Sequence, residues 1–175
     1  MKSLETQMAT YAAYHQDSRN KATHFIGVPA IVLSLMIPLS WVRIEGAVSA
    51  AIVVTAALLA YYLALDLWLG LAMCVAMGVL LWAGQAIAAQ GALAGWSAFG
   101  ILFVGGWILQ LVGHAFEGRK PALADNLFQI FVAPIFLAAE AFFALGYKPA
   151  LHAAVQARAK QMRSTWTDAK LTTAS

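Results

Sequence analysis

Polar and apolar positions along this chain separate into long blocks instead of the short alternations of a soluble fold. Apolar runs predict membrane-spanning helices at Phe25–Val42, Ala47–Leu65, Leu67–Ala89 and Ala92–Gly113, because a hydrocarbon core about 30 Å thick takes about 20 apolar residues in a helix. Little more than Asp66 separates the second run from the third. One continuous helix would strand that carboxylate in lipid or overrun the bilayer, so the pattern predicts a tight hairpin with Asp66 at its tip.

A fifth apolar stretch, Phe128–Gly146, contains Gln129, Pro134 and Glu140. The tail behind it carries Lys148, Arg158, Lys160, Arg163 and Lys170 against Asp168. A basic segment of this kind stays on the anionic, cytoplasmic surface. The pattern therefore favours a bent, re-entrant or bundle-buried element over a fifth crossing. Residues 150–166 read as an amphipathic helix on the membrane surface, with Leu151, Val155, Met162 and Trp166 as its apolar contacts.

Composition agrees with the pattern. Hydrophobic residues make up 62% of the chain and charged ones 11%, against roughly 45–50% and 25% in soluble domains. The expected fold is an all-α polytopic membrane bundle over residues 1–175. It has four transmembrane helices, a fifth re-entrant or spanning apolar helix, short N-terminal helices over 1–24, a bundle over 25–146 and a basic tail over 147–175. Gly91-x3-Gly95, Gly105-Gly106, Gly78 and Gly84 offer close-packing surfaces, within the chain or between chains alike. Lys2, Arg19 and Lys21 precede the first span, and Arg119 and Lys120 follow the fourth. The positive-inside rule puts both ends of the four-span unit in the cytoplasm, with a bacterial inner membrane as the expected location. The first 24 residues are too polar for a secretory signal. Cys74 is the one cysteine, which excludes disulfides and Cys-based zinc sites.

Candidate chemistry sits at the ends of these runs. Three of the four histidines, His15, His24 and His114, lie just outside or at the edge of apolar stretches. Four spans separate His24 from His114, so both fall on one face of the membrane. His15 and His24 are nine residues apart. On a straight helix that means opposite faces and a rise of about 13.5 Å. They share a metal only if the helix breaks between them. Asp17, Ser18 and Asn20 are good N-cap residues and predict that break, with one helix ending near His15 and another beginning near Ser18. Gln110, His114 and Glu117 share a helix face. Glu117 is then a fourth ligand, or an acceptor that fixes an imidazole tautomer. Glu140 is expected to pair with Arg119 or to bond a ligating histidine.

No zinc-protease His-Glu-x-x-His, P-loop or dinucleotide fingerprint is present. Four histidines are too few for a membrane di-iron site. A single metal with nitrogen ligands and open positions suits iron(II) and oxygen chemistry, and ligand type leaves zinc open. The residues alone thus reach a membrane protein with a metal site.

The string Tyr11-Ala-Ala-Tyr14-His15-Gln-Asp-Ser-Arg-Asn20-Lys-Ala-Thr-His24-Phe-Ile-Gly27-Val-Pro29 resembles the N-terminal signature of the 2-hydroxy fatty acid dioxygenase family. So does Gln110-Leu-Val-Gly113-His114-Ala-Phe116-Glu117-Gly118-Arg119-Lys120-Pro121-Ala122-Leu123, followed by Gln129 and Pro134. The resemblance covers roughly residues 8–145, with both motifs in order. It implies an Fe(2+)-dependent α-oxidation in which a 2-hydroxy fatty acid and O2 give an acid one carbon shorter. It further implies His15, His24 and His114 as iron ligands, with Glu117, Tyr14 and Asn20 in the catalytic set. Arg119, Lys120, Gln110 and Gln129 become the expected substrate contacts. Membrane lipids are expected partners, and nucleic acid is not. Two rivals stand beside this reading. One is a haem-binding electron carrier using two of the histidines. The other is a non-enzymatic protein that binds a lipid headgroup or structural zinc.

Overall fold

The computed structural model describes residues 3–118 and 127–173. Seven helices account for nearly all of them: α1 (Leu4–Tyr14), α2 (Ser18–Trp41), α3 (Ala50–Leu65), α4 (Leu67–Ala88), α5 (Ala92–Glu117), α6 (Gln129–Ala144) and α7 (Pro149–Thr173). The all-α polytopic bundle expected from the sequence is the fold observed. Its one addition is a small antiparallel ribbon, β1 (Arg43–Glu45) with β2 (Val48–Ser49), between α2 and α3.

The helices α2, α4 and α5 are long and apolar enough to cross a membrane. Their outward faces carry Val75, Trp82 and Ile101, each more than 70% exposed. An apolar belt of that extent is what membrane association requires. The second predicted span is shorter than expected. Residues 47–49 are used in the ribbon, so α3 has 16 residues, about 24 Å of helix. Asp66 does break the apolar run, accepting from the amides of Trp68 and Leu69, both at 3.1 Å, as the N-cap of α4.

The tightest packing is between α2 and α5. A Cβ on Gly106 would lie 3.0 Å from the Gly27 carbonyl oxygen, and one on Gly27 would lie 3.0 Å from that of Gly106. Gly84 and Gly95 likewise admit Met36 and Trp41, whereas Gly78, Gly91 and Gly105 meet nothing within 4 Å. Small residues therefore fix backbone approach at some of the anticipated positions only. At the opposite end of the bundle from the N-terminus of α2, the Trp41 indole donates to the Ala88 carbonyl at 3.1 Å.

The α6 helix begins and ends near one end of the bundle. The Tyr62 hydroxyl donates to the Phe131 carbonyl at 2.7 Å, and Lys148 beyond the helix pairs with Asp66, one turn from Tyr62. Gln129, Val132, Phe136 and Phe143 of α6 are buried against the bundle, and at 16 residues the helix is shorter than α2, α4 and α5, which are long enough to cross a membrane. Glu140 pairs with Lys21 at 2.6 Å and not with a histidine. Arg119, its other expected partner, lies outside the described residues.

The apolar stripe of α7 is turned towards protein. Val155 and Ala159 are fully buried, and Leu151, Met162 and Trp166 pack on the core that includes Met8, Ala12 and Ala13 of α1. The expected lipid-facing stripe is in fact the docking face for α1, whose buried Met8, Ala12 and Ala13 belong to the same core.

Candidate metal centre

The site begins with the break between α1 and α2. The first helix stops at Tyr14 with His15 as its C-cap, and the second starts at Ser18 with Asp17 as its N-cap, accepting from the Arg19 amide at 2.8 Å. The interruption anticipated from Asp17, Ser18 and Asn20 is therefore present. It turns two histidines from opposite faces of one helix into neighbours.

His15 and His24 approach through their Nε2 atoms, 3.0 Å apart. The Nδ1 of His15 donates to the Tyr11 carbonyl at 2.8 Å, and that of His24 to the Asn20 carbonyl at 2.9 Å. Each neutral imidazole has one N–H. With both committed to backbone carbonyls, two Nε2 lone pairs point at one another. That contact is repulsive unless a cation lies between them. Two nitrogens each about 2.1 Å from one ion, at about a right angle, would be about 3.0 Å apart. His114, from the last turns of α5, completes the group, and one ligand atom from each histidine falls within 4.8 Å of the others. All three are at most 5% exposed. The donor set and its tautomers fit a metal ion.

Burial sets the electrostatics. Loss of solvent, with His24 close by, holds the His15 imidazole well below its ordinary pKa. It therefore stays neutral and available as a ligand. The Tyr11 ring stacks on His15 at 4.1 Å between centroids and 4° between planes, and Phe136 closes over Tyr11 at 4.5 Å. Neither ring was among the expected site residues. The i, i+4 spacing of Tyr11 and His15 was the available signal for the first; Phe136 left none in the sequence.

Glu117 stands beside the cluster and outside it. Its carboxylate accepts from the amides of Gln16 and Asp17 at 2.9 and 2.8 Å, from Asn20 Nδ2 at 3.2 Å, and from Arg163. The tautomers of His15 and His24 are fixed by backbone carbonyls, so Glu117 is not the acceptor for either of those imidazoles. Asn20 is fully buried, with its side chain joining Glu117 to the Tyr14 carbonyl. The Tyr14 ring packs on Trp166 of α7, 4.9 Å between centroids. Arg119 and Lys120 lie outside the described residues.

An apolar cavity opens from the histidines between α2, α3, α5 and α6. On α2 it is lined from His24 through Val28, Ile31 and Leu35 to Leu39, a rise of about 22 Å. Leu58 and Val54 of α3 face this row. Gln110 and Gln129 line the cavity with the histidines. Both are buried, and Gln110 Nε2 and Gln129 Oε1 have no hydrogen-bond partner among the described residues.

Three buried imidazoles able to hold a metal ion, at the head of an apolar cavity in a helical bundle, define a class: apolar multi-helix proteins with a candidate metal centre beside a pocket of lipid-like character. The particular family follows from comparison with known proteins. Residues 1–145 match the family described as 2-hydroxy-palmitic acid dioxygenase Mpo1-like, and the chain belongs to it. It is 37% identical over 155 residues to the 2-hydroxy-palmitic acid dioxygenase MPO1 of Saccharomyces cerevisiae, a match that covers 87% of each chain. No solved structure matches it.

Proposed function

We propose that this protein is an iron(II)-dependent dioxygenase that shortens 2-hydroxy fatty acids by one carbon with O2. The observation that carries the reading is the pair of opposed Nε2 atoms of His15 and His24, 3.0 Å apart with both Nδ1 protons committed elsewhere. The activity named for the yeast relative supports the choice of substrate. Atoms balance when the shortened acid is accompanied by one molecule each of carbon dioxide and water.

His15, His24 and His114 would hold the iron, which when bound supplies the redox chemistry with O2. No carboxylate or cysteine joins the three histidines among the described residues, so positions are left for exogenous ligands, as in catalytic sites. A closed structural zinc site would need a fourth protein ligand. Bis-histidine haem is disfavoured too, because imidazole rings 4.5–5.1 Å apart leave no slab for a macrocycle. The 2-hydroxy acid offers a carboxylate and a hydroxyl, the partners that Gln110 Nε2 and Gln129 Oε1 lack. Arg119 and Lys120, directly after Gly118, are proposed to attract the carboxylate. The acyl chain occupies the apolar cavity along α2, where Val28, Ile31 and Leu35 exclude water. The site faces the cytoplasm by the lysine and arginine rule.

The test is elemental analysis of protein purified anaerobically in mild detergent, followed by an assay of 2-hydroxy acids for O2-dependent shortening. About one iron per chain, lost in His114→Ala without loss of folded protein, together with a product one carbon shorter, is the expected result. Zinc alone, or an iron-loaded protein inert towards 2-hydroxy acids, would sink the reading.

A further inference from the structure

The basic helix α7 begins at Pro149, beyond the residues that match the family, yet one of its side chains reaches the support of the metal centre. We infer that Arg163 is a positioning residue for the histidine cluster and acts through Glu117. The proposal rests on the metal-centre reading above.

The Glu117 side chain is 1% exposed. A carboxylate taken from water to this extent is tolerated only when paired and hydrogen-bonded. Two of its bonds go to the α1–α2 break, the amides of Gln16 and Asp17, and a third to the side chain of Asn20 in the first turn of α2. Those amides lie between two helices, where no helical carbonyl is available to them. Glu117 therefore holds the turn that separates His15 from His24, while its own helix carries His114 three residues earlier. Arg163 supplies the positive charge against Glu117, and the same Nη1 contacts the Ala13 carbonyl at 3.4 Å. Without it the carboxylate is buried uncompensated, its grip on the break is unstable, and the spacing of the three imidazoles loosens. Sequence gave no hint, because Arg163 lies 46 residues from its partner in a segment that reads as a membrane-surface helix.

Arg158 provides an internal control. It pairs with Glu5 at 3.5 Å and so joins the same two helices, α7 and α1, away from Glu117. A role for α7 in general docking would be disturbed by either arginine.

The experiment measures cobalt(II) affinity of the full-length metal-free protein in detergent, by competition with a chelator, together with the absorption spectrum of the bound ion. Wild type, Arg163→Gln, Arg163→Lys, Arg158→Gln, Glu117→Gln and the double Glu117→Gln/Arg163→Gln variant are compared, each checked for folding by size exclusion and melting. Arg163→Gln should lose about 10–100-fold in affinity with an altered spectrum, the range for partners that orient metal ligands. Arg163→Lys should recover part of this, Arg158→Gln should match wild type, and the double variant should be no worse than the poorer single one. Unchanged affinity and spectrum in Arg163→Gln, an equal loss in Arg158→Gln, or additive losses in the double variant would each overturn the proposal. Should Arg163→Gln fail to fold, Arg163→Lys decides by the spectrum: a wild-type spectrum overturns the proposal and an altered one supports it. A wild-type protein that takes up no cobalt would overturn the metal centre itself, and is recognised because it needs no variant.

Discussion

Two protonation facts govern the site at the scale of single residues. The Nδ1 atoms of His15 and His24 are bound to carbonyls one turn back, which orients each ring and leaves Nε2 free to serve the proposed metal. His24→Ala should therefore abolish stoichiometric metal binding with little loss of helix content, as read by metal analysis and circular dichroism. His15 also gives the protein a pH dependence. Burial keeps its folded-state pKa well below the ordinary value of 6.5. Below that value the unfolded chain takes a proton that the folded one resists, so stability of the metal-free protein falls as pH drops through about 6.5, and above it this group contributes no slope. Melting of the metal-free protein in detergent at neutral and mildly acidic pH checks this: wild type should lose stability on acidification, and His15→Asn should lose less. Tyr11 is the third residue to probe. Its ring is buried against His15 and Phe136, and Tyr11→Ala should cost about 3–5 kcal/mol of stability, measurable by denaturation in mixed micelles.

At the scale of elements, much of the architecture was legible in the sequence. Hydropathy blocks placed α2, α4 and α5 within a few residues except at the start of α2, which begins at Ser18 instead of Phe25 because Asp17 caps it before the apolar run. The α1–α2 break was legible because N-cap chemistry is local: Asp17 accepts from an amide two residues away. The partners of Glu117 and the docking face of α7 were not, since both depend on which distant helix covers a surface. Periodicity shows that Val155 lies on an apolar face and says nothing of whether lipid or α1 meets it. The α2–α5 crossing is the element contact most open to test. Gly106→Val would place side-chain atoms against the Gly27 carbonyl and Ile31, and overpacking of this kind costs about 1–3 kcal/mol. Gly105→Val, where a Cβ meets nothing within 4 Å, should leave melting and metal content near wild type.

At the scale of the whole molecule, the cavity relates fold to substrate. Its α2 wall runs about 22 Å from His24 to Leu39, enough for a long acyl chain laid along the helix. A bulky residue part-way along should shorten the accepted chain without disturbing the metal. Leu35→Trp is expected to lower kcat/KM for long-chain 2-hydroxy acids by about 10-fold or more, equivalent to about 1.4 kcal/mol, while shorter acids and iron content stay near wild type. A uniform loss across chain lengths would show that the chain lies elsewhere. No sequence pattern revealed this cavity, because residues that line an internal channel and residues that face lipid are equally apolar.

The ligands arrive from two places in the chain, His15 and His24 near its start and His114 at the end of α5. During synthesis, a nascent protein inserted only as far as Ala88 owns two imidazoles and no third, and the walls of the cavity contributed by α5 and α6 do not yet exist. Loading of the proposed three-histidine site with metal would therefore follow insertion of the α5 segment. On the proposed function, a pool of chains stalled in the membrane before that point would be inert towards oxygen, and assembly itself would keep the proposed centre from forming in an open, half-built protein.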